Sequence, residues 1–251
     1  MKSLRTLFRQ QWPDWLDTIA FTAWGILFLR YWISGRLGLL IHPNYFGLSI
    51  AAGVVLLGIA GLNSWRLLRG KPGPTVRHIT LFPPRMMAIV LIVSALVGLG
   101  ITPRPFASET AIQRGLQDAS IVTRVKPQSF SAGKPPQDRS LIDWIRTVDV
   151  YPEPEAYQGQ PVNIEGFAVH PENLQDQYLT LTRFVITCCA ADVYPIGLPV
   201  KLSESRQRYP QDQWFRVQGK MQTEMLNNQR SLVVQAQNIT PIPEPKNPYE
   251  Y

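Results

Sequence analysis

Two long apolar stretches sit in the N-terminal part of the chain. Residues 37–65 carry no charged side chain over 29 positions, and residues 86–101 carry none over 16. A helix that crosses a bilayer needs about 20 mostly apolar residues. The pattern predicts three such helices, at 17–34, 45–65 and 85–101. Trp15, Trp24, Tyr31 and Trp32 around the first are suited to a membrane interface, and Arg30 near its end is long enough to reach the headgroups. Gly53, Gly58 and Gly61 in the second would allow close helix contact. Pro83-Pro84 opens the third, and Pro103 and Pro105 close it. The first apolar segment also resembles a cleaved leader, but Arg30, Tyr31 and Trp32 stand where small residues would precede a cleavage site. Burial of all three inside a water-soluble core is the other alternative, and 29 uncharged residues are unusual there.

After residue 102 the pattern changes. Residues 103–139 read as a linker, with a short helix at 109–119 and a loop-like stretch containing Lys126-Pro127, Gly133 and Pro135-Pro136. Ser140 and Asp143 fit a capping box, and Leu141, Trp144, Ile145 and Val148 follow at helical spacing. Strand-like segments come next at 161–169, 178–189, 193–202, 213–222 and 231–239, separated by polar turns such as Asn227-Asn228. Residues 140–240 are therefore expected to form a mainly β domain, an OB-like barrel or a small sandwich, with one short helix. Residues 241–251 hold four prolines and read as an extended or disordered Pro-rich tail.

Charge sharpens this division. Residues 1–140 hold 16 Lys and Arg against 5 Asp and Glu, a formal +11, whereas residues 141–251 hold 9 against 13, a formal −4. The basic excess lies with the apolar helices. Lys2, Arg5 and Arg9 precede the first of them, and Arg66, Arg69, Lys71, Arg77 and Arg85 fill the loop between the second and third. The loop between the first two has only Arg36. Short basic loops stay on the cytoplasmic side. The expectation is a multi-pass protein of the cell inner membrane, embedded in the lipid bilayer at 1–102, with a cytoplasmic N-terminus and an extracytoplasmic C-terminal domain. An acidic β domain also argues against nucleic acid as a partner, because phosphate binding needs a basic face.

The distinctive chemistry of that domain is its vicinal pair, Cys188-Cys189, within Arg183-Phe-Val-Ile-Thr-Cys-Cys-Ala-Ala-Asp192. Successive side chains of a regular strand point to opposite faces, so joint action requires the strand to end or bulge at the pair. If it does, Cys188, Cys189 and Asp192 could approach one zinc or copper ion, with His170 as a fourth ligand. Thiol–disulfide chemistry and plain core packing are the alternatives for the pair. Asp192 reads equally as a turn residue and His170 as a loop residue before Pro171. Arg183 is a ligand-binding candidate that could also pair with Asp192 or Glu165, or face solvent. Trp144 and Trp214 read as core. No GxSxG, P-loop, HExxH or Ser/His/Asp set stands out, so no catalytic residue is assigned.

The Arg183–Asp192 string, the following Pro195-Ile-Gly-Leu-Pro199, and Trp214-Phe-Arg-Val-Gln-Gly219 resemble the YcgQ-type bacterial membrane proteins. The order of apolar helices followed by a C-terminal domain resembles them too. Members are described as the smaller component of a two-component permease, with suggested links to metal homeostasis. Many carry His-rich segments before the last span, whereas residues 67–85 here have only His78. The resemblance implies a non-enzymatic accessory membrane subunit that partners a polytopic permease and serves transport. A membrane-tethered metal-binding or thiol-redox module is the alternative.

Overall fold

The computed structural model describes residues 4–70, 83–116 and 134–251. Lys2, Lys71, Arg77, His78 and the 126–133 loop lie outside the described residues. The chain divides into two compact units, Met1–Arg104 and Pro105–Tyr251.

The first unit is three helices: α1 (Leu4–Ile33), α2 (Phe46–Leu68) and α3 (Pro84–Gly100). Gly35, at φ +71°, ends the α1 segment, and short 3-10 turns at Arg36–Leu39 and Pro43–Tyr45 lead into α2. Helix α1 packs on both of the others. A Cβ on Gly25 would fall 2.7 Å from the Leu57 side chain, so its absence allows α1 and α2 to approach closely. Of the three glycines expected to serve this role in α2, Gly53 does, whereas Gly58 and Gly61 face open space. The polar groups of α1 reach α3 carbonyls. Trp24 Nε1 donates to Leu91 O at 2.9 Å, Arg30 Nη1 to Leu99 O at 2.6 Å, and the Tyr31 hydroxyl to Gly98 O.

Among the described residues one helical segment, Pro43–Leu68, is long and apolar enough to cross a membrane. Its 26 residues exceed the roughly 20 that a hydrocarbon core requires. The expectation of three spans is thus met in full by one helix. In α3 the apolar part, Arg85–Gly100, is shorter, and α1 dilutes its apolar residues with Trp, Tyr, Thr and Arg.

The second unit is mainly β, as the strand pattern predicts. A one-turn helix α4 (Ser108–Ala111) and helix α5 (Leu141–Val150) precede six strands: β1 (Pro161–Val169), β2 (Tyr178–Val185), β3 (Tyr194–Lys201), β4 (Trp214–Leu226), β5 (Gln229–Pro241) and β6 (Tyr249–Glu250). The capping box forms as the sequence specifies, Asp143 N–H donating to Ser140 Oγ at 3.3 Å and Ser140 N–H to Asp143 Oδ2 at 3.1 Å. The stripe Leu141, Trp144, Ile145 and Val148 then enters the same core as Ile164, Leu181, Leu198, Val217 and Val234. Asn227 and Asn228, at φ 48° and 66°, make the two-residue hairpin between β4 and β5, a turn that needs positive φ at both positions.

The strands close on themselves. β1 pairs antiparallel with β2 and with β4, β2 with β3, and β4 with β5, while β3 and β5 run parallel and complete a ring of five. Gly219 sits at a register shift between β4 and β5, where a Cβ would lie 2.1 Å from Gln235 O.

Two boundaries differ from the sequence reading. The front of the expected linker belongs to the β unit: Ala111 is fully buried and Ser108 N–H donates to Asp212 Oδ1 at 2.6 Å. The helix expected at 109–119 is broken at Gly115, which takes φ +96°, and its positions 117–119 lie outside the described residues. The expected tail 241–251 also returns to the domain, since Tyr249–Glu250 adds to β2 as a sixth, parallel strand and Tyr249 is 2% exposed. An aromatic side chain that can bury against the sheet outweighs the extended preference of the prolines before it.

Candidate functional site

Strand β2 ends at Val185, three residues before the cysteines, and the backbone turns through residues 187–192. The alternation that would send the two sulfurs to opposite faces therefore does not apply at the pair. Both thiols are free, Cys188 exposed and Cys189 partly so. Asp192 builds this turn. Its Oδ1 accepts from Cys189 N–H at 3.0 Å, its Oδ2 accepts from the Thr187 hydroxyl, and its own N–H donates to Cys189 O at 3.0 Å. Partial desolvation raises its pKa, but the Thr187 hydroxyl and the surrounding backbone N–H groups outweigh this and hold the carboxyl below its ordinary value. Desolvation, the neighbouring Cys189 and the Asp192 charge push the Cys188 thiol up. The surroundings of Cys188 hold it as a thiol and do not activate it as a thiolate.

His170 does not join this group. It follows Val169, which pairs with Thr180 near the start of β2, whereas the cysteines lie beyond its other end. The run from Thr180 to Val185 alone spans roughly 16 Å. Its Nε2 is 2.9 Å from Tyr209 O, and burial lowers its pKa. The expected fourth ligand is thus a loop-fixing histidine. Among the described residues no group of three or more His, Cys, Asp or Glu is placed to hold a metal ion.

Arg183 pairs with neither expected acid. Glu165 is bound by Arg216 at 2.5 Å, and Asp192 is occupied by the turn. Instead Arg183 Nη1 meets Glu250 Oε1 at 2.7 Å, and Nη2 donates to Asn247 O at 3.0 Å. The guanidinium lies 5.5 Å from the Trp214 ring centre, within cation–π range. Trp214 in turn ends a chain of five aromatic rings: Phe167 contacts both Trp214 and Phe184 at 5.7 Å, and Phe106 contacts Phe184 at 5.6 Å and Tyr249 at 6.2 Å between centres.

The hydrophobic pattern of the sequence does not point to this aromatic and Arg cluster. Phe106 lay in the expected linker and Tyr249 in the expected tail. The available signal was their composition: Phe106 after Pro-Arg-Pro, and Tyr249-Glu-Tyr251 after a proline run, are aromatic residues where a solvated connector has no need of them.

No curated protein and no solved structure matches the chain. Residues 137–251, from just before α5 to the last residue of the sequence, carry a DUF1980 C-terminal domain.

Proposed function

We propose that the chain is a non-enzymatic accessory subunit of the cell inner membrane that presents its β unit outside the cytoplasm beside a polytopic permease. The observation that carries this reading is the outward apolar surface of α2 and α3. Leu48, Leu62 and Leu68 are 71%, 63% and 77% exposed, and Ile89, Val93 and Leu96 on α3 are more than half exposed. Contiguous apolar surface on that scale is unfavourable in water and is covered by lipid or by a partner helix. With 23 residues at about 1.5 Å each, α2 rises about 34 Å, enough to cross the hydrocarbon. Helices α1 and α3 are read as the accompanying spans. Their outward residues then face acyl chains, and the Lys and Arg bias of the loops favours a cytoplasmic N-terminus.

The ring order, with β3 and β5 parallel, supports an OB-type barrel, and the YcgQ-type resemblance supports the permease partner. In this reading the β unit binds and positions rather than transforms. Alkaline carbonate washing of membranes is expected to leave the chain in the pellet, and tagged protein in mild detergent is expected to bring down a polytopic partner. Release into the wash would end the membrane assignment. Recovery of a lone chain from several detergents would end the partnership.

A second reading is favoured by the turn at the cysteines, which allows both thiols to act together. It would make the pair a two-sulfur site for a soft cation. Copper(I) suits two thiolates, whereas zinc calls for four ligands. Titrating the reduced chain with Cu⁺ against a chromophoric competitor is expected to give one ion per chain. The Cys188→Ser/Cys189→Ser variant should bind none, and equal stoichiometry in both would remove the reading.

A further inference from the structure

Strand β1 pairs with only part of β2. Its partners there are Thr180, Leu181 and Thr182, after which β1 continues on β4 alone. The remaining edge of β2 is open to a strand, and β6 fills it: Tyr249 pairs with Phe184, Glu250 with Val185, and Ile186 N–H donates to Glu250 O at 3.1 Å. Beside this seam Phe106 packs on both Phe184 and Tyr249, and Arg183 meets Glu250.

The occupant is a small one. It is a two-residue strand, joined to β5 through residues 242–248, which include Pro243, Pro245 and Pro248 and form no regular structure. The seam, in contrast, is built from the body of the domain. Phe167, Phe184 and Trp214 belong to the ring itself. Arg183 Nε is buried and has no hydrogen-bond partner among the described residues, so the resident tail leaves a donor of the slot unused.

We infer that the β2 edge at Phe184–Ile186 is a strand-docking site for an extended segment of a partner protein in which an aromatic residue precedes a carboxylate, and that Tyr249–Glu250 is its exchangeable resident. Three features select that segment. The β2 edge that β1 leaves free supplies backbone hydrogen bonds to an extended chain, as it does to β6, the binding mode in which a peptide adds a strand to a sheet. The aromatic wall accepts a ring, and Arg183 demands an acid one residue later. The inference stands on the β unit alone and does not depend on the membrane assignment.

The test uses the full chain in detergent, with a protease site placed between Glu244 and Pro245, and a fluorescent peptide of residues 242–251 as the probe. Uncut chain is expected to exclude the peptide. Cut chain should take it up saturably, one per chain, and the same peptide with Glu250→Lys should bind at least about tenfold more weakly, the equivalent of about 1.4 kcal/mol. Amide exchange of β2 and β4, followed in parallel, reports whether the cut domain stays folded. A folded cut chain that takes up no peptide, or that takes up both peptides equally, overturns the inference. So does loss of exchange protection on cutting, which would make the tail a fixed part of the fold. A dimer of uncut chain that dissociates on cutting would give the slot to a second copy and overturn it as well.

Discussion

Replacing Trp144 by alanine is expected to destabilise the β unit by about 3–5 kcal/mol, the largest effect of any single side-chain truncation in α5. Trp144 is fully buried, meets Tyr157 edge-on at 6.2 Å, and lies under the Arg139 guanidinium at 4.8 Å. It is the largest side chain of the stripe by which α5 packs on the strand ring, so its loss leaves a cavity that ring and helix can only partly close. A whole domain is stable by about 5–15 kcal/mol, so the variant gives up a substantial part of that. Hydrogen exchange of β1–β5 amides in the full chain is the suitable measurement, because it reads the β unit separately from the helices. Met225→Ala, at a position 62% exposed, is the control and should change protection by less than about 0.5 kcal/mol. Equal protection in the two variants would mean that α5 does not seal the core.

Arg183 and Glu250 should behave unequally although they form one pair. Each side chain is 14% exposed, so removal of either partner leaves the other largely out of water. Arg183→Ala strands the Glu250 carboxylate and is expected to cost about 3 kcal/mol, near the low end for a broken buried pair. Glu250→Gln keeps the shape and an acceptor for Arg183 while giving up the charge attraction, and should cost less than Arg183→Ala. The reason lies in the titration of Glu250: desolvation outweighs the attraction of Arg183, and its pKa is raised above the ordinary 4.5. A carboxyl raised on folding contributes stability that is fully present below the unfolded pKa and is lost as pH rises through the folded one. Wild-type protection of β2 should therefore decline as pH climbs from about 4.5, and Glu250→Gln should flatten that decline. Arg183→Ala should enlarge it, because Arg183 is the largest of the charges that lower the Glu250 pKa, ahead of Arg146 and Lys134, while Asp143 raises it. A decline in Glu250→Gln as steep as in the wild type would show that another group sets the pH response.

These two expectations bear on the function in different ways. Trp144 holds the ring together and would matter for any role of the β unit. In the docking proposal the Arg183–Glu250 pair governs whether the tail stays in its seam. A variant that weakens the pair but spares the core separates docking from folding, which no change in α5 can do.

Periodicity and turn chemistry determined much of this protein without help from the fold. The capping box at Ser140 and Asp143, the apolar stripe behind it, the five strands and the Asn227-Asn228 hairpin are local. Each depends on residues within a few positions of one another, and the backbone adopts them as the side chains dictate. The apolar length of Pro43–Leu68 is local in the same way. Tertiary structure decided what lies far apart along the chain. Arg183 finds Glu250 across 67 residues and leaves Glu165 to Arg216. Phe106 and Tyr249 are brought from an apparent linker and an apparent tail onto one ring, Phe106 on Phe184 and on Tyr249. The cysteines are freed from strand alternation, while His170 is held at the other end of β2. The hydrophobic pattern tells which face a residue turns inward, but only closure of the ring decides which residues meet there.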